Sequence, residues 1–299
     1  MVDVWLVDAF TDHVFSGNGC GVIFDADALS AGEMQSIARE LNQSESIFFS
    51  SPTDRKADYY IRIFTPTQEL PFAGHPTLTA AHVYLEKFAG STRPTSLVQQ
   101  CGVGLIPIEI NYAGHLPRIT MVQQTPIIFD LTPQPEAVAD LFHQSPDDLK
   151  SCIPPLLVNT GIDWAVVEVP ETWITGAVSL AAVMKLCAIW NNNDIAVFAK
   201  TSQDPALIKV RAFAPLHNII EDPVTGSAQG CIAAALCHSG FWGTKSEVSY
   251  QASQGAEIGR EGKVFVRIDS ANTDAPVIRV GGHAVTTLRG TVNTLLIKR

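Results

Sequence analysis

Ile61-Arg62-Ile63-Phe64-Thr65-Pro66 returns half a chain later as Val210-Arg211-Ala212-Phe213-Ala214-Pro215. A glycine-opened run follows each copy: Ala73-Gly74-His75-Pro76-Thr77 in the first half, Thr225-Gly226-Ser227-Ala228-Gln229 in the second. A repeat of that period in 299 residues points to two similar domains with a site in the cleft between them, a common place for ligands. The search for chemistry narrows to two strand-to-helix turns.

The residues behind each glycine are apolar on every side. Leu78 to Tyr84 in the first half and Gly226 to about His238 in the second read as helices without a polar face. Such a helix must be surrounded by protein. Each half is therefore expected to wrap a sheet around one central helix. The strands read near 46–50, 58–64, 104–111 and 117–122, then near 155–159, 164–169, 194–199, 208–213, 247–251, 263–269 and 277–281. Most are separated by short turns rather than helices, which argues against a doubly wound Rossmann sheet. No G-x-G-x-x-G follows the first strand, read over Val4–Phe10.

Further out, Asp25 to Leu41 holds the clearest amphipathic helix. Ser30 and Glu33 form a capping box, Leu29 can staple onto Met34, and Met34, Ile37, Ala38 and Leu41 form one apolar stripe. Another helix is expected near 179–189. Thr125 to Asp148, with four prolines, reads as an inter-domain segment holding a short helix. The expected domains are 1–124 and 125–285, with a last strand at 286–299 joining the first.

Composition bounds the function. With 46% hydrophobic and 17% charged residues the chain can bury a substantial core. No apolar run reaches the roughly 18 residues of a membrane span. No secretory signal is visible, so a cytoplasmic location is expected. A net charge of -10 without a basic cluster makes nucleic acid and anionic membranes poor partners. A small anionic substrate stays open, because backbone N–H groups bind anions without side-chain charge. The six cysteines form no C-x-x-C pair and read as reduced packing residues, Cys20 and Cys231 included; no metal-ligand spacing and no P-loop are present.

Three constellations can carry chemistry. Gly74 and Gly226 each open a buried helix, whose first-turn N–H groups and positive dipole end can hold a carboxylate or an enolate-like charge. The alternative is close packing at a tight turn. Glu45, in Ser44-Glu45-Ser46-Ile47-Phe48-Phe49, shares a strand face with Ile47 and Phe49. A carboxyl held there would be desolvated, its pKa would rise, and it could exchange protons near neutral pH. The alternative is a strand-entrance glutamate pointing to water. His75, next to Gly74, and Asp222, just before the second helix, can relay protons or bind substrate. The alternatives are a packing histidine and a turn former before Pro223. Phe15-Ser16-Gly17-Asn18-Gly19 reads as a turn that can line a pocket, and Gly281-Gly282 as a bend or close backbone approach. Gln254-Gly255 and Gly259-Arg260 flank a loop.

In order and spacing, the motifs resemble the PhzF-like family, named for a phenazine-biosynthesis isomerase. They are V-D-A-F-T (Val7–Thr11), F-S-G-N (Phe15–Asn18), A-R-E-L-N-Q-S-E (Ala38–Glu45), I-R-I-F-T-P, A-G-H-P-T, E-D-P-V-T-G-S-A and V-G-G-H-A-V (Val280–Val285). The resemblance runs nearly end to end. It implies an α+β, diaminopimelate-epimerase-like fold: two pseudo-symmetric domains, each a mostly antiparallel β-barrel around a central helix. It implies Glu45 as the proton-moving residue, assisted by His75 and Asp222. Gly74, Gly226 and Ser227 then surround a substrate carboxylate, and Asn18 lies among the substrate-binding residues. It also implies no cofactor or metal, and a homodimer. Superfamily racemases place a cysteine before each helix; here those places hold Ala73 and Thr225. Gly19-Cys20 stands where many relatives have Pro-Ala.

The expected activity is a cofactor-independent isomerisation of a small, carboxylate-bearing, cyclic substrate. An epimerase or racemase of an amino-acid-like substrate and a non-catalytic small-molecule-binding protein are the alternatives.

Overall fold

A computed structural model describes residues 2–204, 207–217 and 219–293. The chain forms two compact units: residues up to Met121 together with Gly281 onward, and Val122–Val280. Each is built from the same sequence of strands around one helix.

The first unit opens with β1 (Val2–Ala9) and β2 (Asn18–Ile23), which pair antiparallel. Helix α1 (Ala31–Leu41) follows, and β3 (Glu45–Ser50) returns parallel to β2. The helix expected within Asp25–Leu41 starts where its capping box places it. Asp25 is left-handed at φ 49, a 3-10 turn covers Ala26–Ala28, and Ser30 caps α1 with the full capping box to Glu33. Such a cap contributes about 1 kcal/mol. Met34, Ile37 and Ala38 face Val4, Ile23, Phe48 and Phe64, and Leu29 packs beside them.

β4 (Tyr59–Phe64) pairs antiparallel with β3 and carries the first copy of the repeated motif. A two-residue strand, β5 (Glu69–Leu70), folds back on it. Then comes the central helix α2 (Gly74–Lys87). β6 (Ser96–Cys101), β7 (Gly104–Asn111) and β8 (Arg118–Val122) complete the series, with β6 parallel to β4 and the remaining pairs antiparallel.

The second unit repeats this plan. β9 (Ile127–Asp130), β10 (Leu156–Asn159) and β11 (Asp163–Glu168) pair antiparallel. Between β9 and β10 lies α3 (Pro135–Phe142), and after β11 comes α4 (Leu180–Trp190). β12 (Ile195–Lys200) runs parallel to β11, as β3 does to β2. β13 (Leu207–Ala214) holds the second motif copy, β14 (Ile219–Asp222) folds back, and α5 (Gly226–His238) is the central helix. β15 (Glu247–Gln254) runs parallel to β13, as β6 does to β4; β16 (Gly262–Asp269) and β17 (Val277–Gly282) follow. The last strand, β18 (Ala284–Val292), pairs with β1 in the first unit. Residues 294–299 of the expected last strand lie outside the described residues.

The proline-rich stretch after Thr125 holds the expected short helix, α3, whose Val138, Leu141 and Phe142 pack with Val183, Leu186 and Trp190 of α4, and it adds the strand β9. One expectation needs correction: the Phe15–Gly19 turn does not extend to Gly19, because β2 begins at Asn18. Gly281-Gly282 is a close approach within β17 rather than a bend: a Cβ at Gly281 would lie 2.5 Å from the Ile119 carbonyl oxygen, and one at Gly282 would lie 2.6 Å from the Phe10 ring.

The central helices are enclosed as their composition requires. From Ala228 to Leu236 every residue of α5 is buried, and so are His75 to Ala81 of α2. β3 is buried on both faces, since Ser46 and Phe48 are as enclosed as Ile47. Alternation in this strand therefore does not separate a core face from a wet one.

Candidate active site

In the first unit the sequence candidates converge at the mouths of β2, β3 and α2. The parallel pairing of β2 and β3 sets Cys20 opposite Glu45. Asn18, buried at the start of β2, accepts a hydrogen bond from the Ser44 hydroxyl at 3.2 Å through its Oδ1. On the other side, the second residue of α2 brings His75 Nε2 to 3.4 Å from Glu45 Oε2. Both side chains are enclosed, at 8% and 14% exposure. That spacing is slightly long for a hydrogen bond, as catalytic contacts often are before a ligand tightens them.

Burial dominates the electrostatics of Glu45. Loss of water raises its carboxyl from 4.5 to about 7, with the Ser44 hydroxyl offsetting part of the effect. Both protonation states are then accessible near neutral pH, as a group that takes up and returns a proton needs. Cys20, completely enclosed, is pushed well above its ordinary value by burial and then by the Glu45 charge. In the second unit burial pushes Cys231 up to about 12. Neither thiol supplies a thiolate near neutral pH, in line with their expected packing role.

The two central helices begin without side-chain caps. Ala73 and Thr225 occupy the N-cap positions in extended conformation, and neither side chain bonds to the first turn. By contrast, α1 is capped by Ser30 and α4 by Ser179. Gly74 and Gly226 thus stand at helix starts that their N-cap side chains do not cap.

In the second unit, Asp222 ends β14 and is nearly enclosed. Its Oδ2 accepts a 2.5 Å hydrogen bond from the Thr225 hydroxyl. Ser227, one residue into α5, accepts a hydrogen bond from Trp164 Nε1 at 3.1 Å. With one lone pair taken by the indole, the Ser227 proton remains available for donation. Around the turn, buried Gln254 bonds to Asp222, Thr225 and Gln229.

Sequence reasoning did not single out Ser44, Trp164 or Gln254 as site residues. Only Gln254 carried a signal, its place beside Gly255 at the end of a strand. Ser44 was visible merely as the neighbour of Glu45, and nothing in the local sequence links Trp164 to Ser227.

A shallow depression of about 460 Å³ elsewhere in the first unit is lined by His82, Glu86, Thr286 and Arg289 among others. These groups are tied to one another, with Glu86 accepting from Thr286 at 2.5 Å and from Arg289, and the depression holds none of the site residues. Among the described residues no group of three or more His, Cys, Asp or Glu side chains is arranged to hold a metal ion. No described helix is long and apolar enough to cross a membrane.

The first unit thus sets an enclosed carboxyl beside a histidine within a duplicated strand-and-helix frame. The particular family follows from comparison with known proteins. The phenazine biosynthesis-like protein family matches residues 7–290, and the chain belongs to that family. It is 33% identical to trans-2,3-dihydro-3-hydroxyanthranilate isomerase of Pseudomonas chlororaphis, over 96% of this chain and 98% of that protein. It is 32% identical to antisense-enhancing sequence 1 of Schizosaccharomyces pombe, over 95% and 96%. The crystal structure of a PhzF-family phenazine biosynthesis protein from Bacillus anthracis superposes with a TM-score of 0.85 at 26% identity, covering 98% of this chain and 99% of that one. The fold is thus the diaminopimelate-epimerase-like one, and the enzyme is an isomerase in the broad sense that includes epimerases.

Proposed function

We propose that this protein isomerises a small, cyclic, carboxylate-bearing substrate without a cofactor, using Glu45 as the proton carrier. One observation carries the reading: Glu45 is enclosed, poised at about 7 by burial, and lies 3.4 Å from His75. Ionised Glu45 takes a proton from a ring carbon. The electron pair of the broken C–H bond moves into the conjugated system that ends on the substrate carboxylate. The proton returns to a different carbon, so a double bond shifts and nothing is oxidised or reduced. His75 steadies Glu45 and passes protons to it.

Developing negative charge on the substrate carboxylate suits the uncapped first turn at Gly74. Asp222, Gly226 and Ser227 stand at the corresponding helix start of the second unit and are proposed as substrate-binding residues there. Asn18 holds the Ser44 side of the site. The alternative chemistry, a racemisation by two thiols, finds Ala73 and Thr225 where it needs cysteines, and Cys20 holds its proton.

The test is proton NMR in D2O with wild type and Glu45→Gln. The panel is trans-2,3-dihydro-3-hydroxyanthranilate with small cyclic and amino-acid carboxylates. Deuterium should enter a new carbon with wild type and fall by about a hundredfold or more with the variant, the low end of a general base's contribution. Label at the original carbon with inversion would make the enzyme an epimerase instead. Full exchange by Glu45→Gln would overturn the role of Glu45. Ligand line-broadening with no exchange anywhere would favour a binding protein.

A further inference from the structure

Gln254 ends β15 with its side chain enclosed, and its carboxamide uses all four hydrogen-bonding positions. Nε2 donates to the Asp222 carbonyl oxygen at 2.9 Å and to Thr225 Oγ1 at 2.9 Å. Oε1 accepts from the Thr225 N–H at 3.2 Å and from Gln229 Nε2 at 3.3 Å.

The direction of these bonds is forced. A backbone carbonyl only accepts and a backbone N–H only donates. Asp222 O and Thr225 N therefore fix which end of the amide is which. Nε2 must donate to the Thr225 hydroxyl, whose own proton is then directed to Asp222 Oδ2 at 2.5 Å. The polarity of two backbone groups thus travels through Gln254 and Thr225 to a carboxylate. A proton on Oδ2 would meet the Thr225 proton head-on, so this bond favours the ionised form.

The first unit provides an internal comparison. In both halves the strand after the central helix leads into a glycine seated against the proline before the helix start. A Cβ at Gly102 would lie 2.7 Å from Pro71 Cα, and one at Gly255 would lie 2.4 Å from the Pro223 carbonyl oxygen. The residue before the glycine is Cys101 in the first half and Gln254 in the second. The first half does have a buried glutamine two residues earlier, Gln99, which donates to Thr77 Oγ1 at 3.0 Å. There the threonine returns its proton to the Ala73 backbone oxygen at 2.9 Å, not to a carboxylate. The first-half chain from glutamine through threonine thus ends on a backbone oxygen, the second-half chain on an acid.

We propose that Gln254 is the positioning residue of the second helix start: by making the Thr225 hydroxyl donate to Asp222, it presents Asp222 as an acceptor and selects substrates that carry an ammonium or hydroxyl donor beside their carboxylate. The substrate preference rests on the proposed function; the relay itself does not.

The experiment follows the Asp222 side-chain carboxyl carbon by ¹³C NMR as pH is varied, in wild type, Thr225→Val, Thr225→Ser and Gln254→Met. Loss of a hydrogen bond to the ionised form should raise the Asp222 midpoint by roughly one pH unit in Thr225→Val and in Gln254→Met. Thr225→Ser keeps the hydroxyl and should titrate as wild type does. In a second arm, cyclic carboxylates with and without an adjacent amino or hydroxyl group compete for the protein. Wild type should prefer the donor-bearing compound roughly tenfold, and Thr225→Val should lose the preference. Should Gln254→Met fail to fold, Thr225→Val, which leaves the amide bonds to Asp222 O and Thr225 N intact, decides the matter. A Thr225→Val midpoint equal to wild type, or an unchanged preference, overturns the proposal. Failure of wild type to exchange hydrogen on any carboxylate would instead count against the proposed function and leave the Asp222 titration standing.

Discussion

Replacing Glu45 by glutamine should make the protein more stable at pH 8 and leave its stability nearly unchanged at pH 4. The folded protein holds the Glu45 proton up to about 7, against 4.5 for the ordinary group. Between those values the folded state binds more protons at this site than the unfolded state does. Stability therefore falls as pH rises through the window, and is flat above and below it. A tenfold change in proton affinity is worth about 1.4 kcal/mol, so ionising Glu45 costs the fold about 3 kcal/mol by pH 8. Glutamine has nearly the same shape and does not titrate, so Glu45→Gln escapes this cost. For a protein of this size that corresponds to a melting temperature roughly 5–10 °C above wild type at pH 8. Calorimetry of both proteins from pH 4 to pH 8 reads the difference, in which the titration of every other group largely cancels. A difference that stays flat over the whole range would mean that Glu45 titrates like a solvated carboxyl, and the enclosed-base argument would collapse with it.

The same rise in the Glu45 pKa sets the pH dependence of catalysis. Since Glu45 must be ionised to take a proton, kcat/KM should rise through about pH 7 and level off above it; a profile already flat from pH 5 would contradict this. The repeated arginines should differ sharply. Arg211 is enclosed with Glu221 and bonded to it at 2.8 and 2.7 Å, so Arg211→Ala should cost about 3–5 kcal/mol in denaturant unfolding. Arg62, whose partner Glu69 is 42% exposed, should cost under about 1 kcal/mol. Two nearby glycines separate strain from collision. Gly259→Ala meets only its φ of +71 and should cost about 1–2 kcal/mol, whereas Gly255→Ala adds contact with two carbonyl oxygens and should cost about 2–4 kcal/mol on the same scale.

How far the fold can be read from the chain depends on the range of the interactions involved. The repeated motif and the two all-apolar helices identify the duplicated frame, because burial on every face is a local property of the sequence. The cap of α1 is equally local: Ser30 and Glu33 fix its start at Ala31. β2 escapes such reading: Asn18-Gly19-Cys20-Gly21 has little strand propensity. It is a strand because Gly21 admits Ser46 and Leu41, whose atoms would lie 2.6 and 2.8 Å from a Cβ. Glu45 is enclosed, but not through alternation alone. Apolar alternation suggests one enclosed face, but the whole strand is enclosed, and the histidine that meets Glu45 arrives from the start of α2. Trp164 on Ser227 and Gln254 on Asp222 are contacts across distant segments, which no local pattern announces.

The duplicated halves are not equivalent. Their frames agree in the parallel return of β3 on β2 and of β12 on β11, and in the glycine seated against a proline before the helix. Their chemistry diverges at matched positions. The second residue of the central helix is His75 in one half, facing the enclosed Glu45 carboxyl, and Ser227 in the other, held by an indole. The residue ahead of the seated glycine is Cys101 in one half and Gln254 in the other. A duplicated scaffold supplies two helix starts, and the surroundings of the two differ. In this chain burial holds the Glu45 carboxyl of the first half near neutrality, and in the second half the Thr225 hydroxyl donates to the Asp222 carboxylate. Exchanging His75 and Ser227 should therefore not restore activity, because the groups that tune them, Glu45 and Trp164, remain in their own halves.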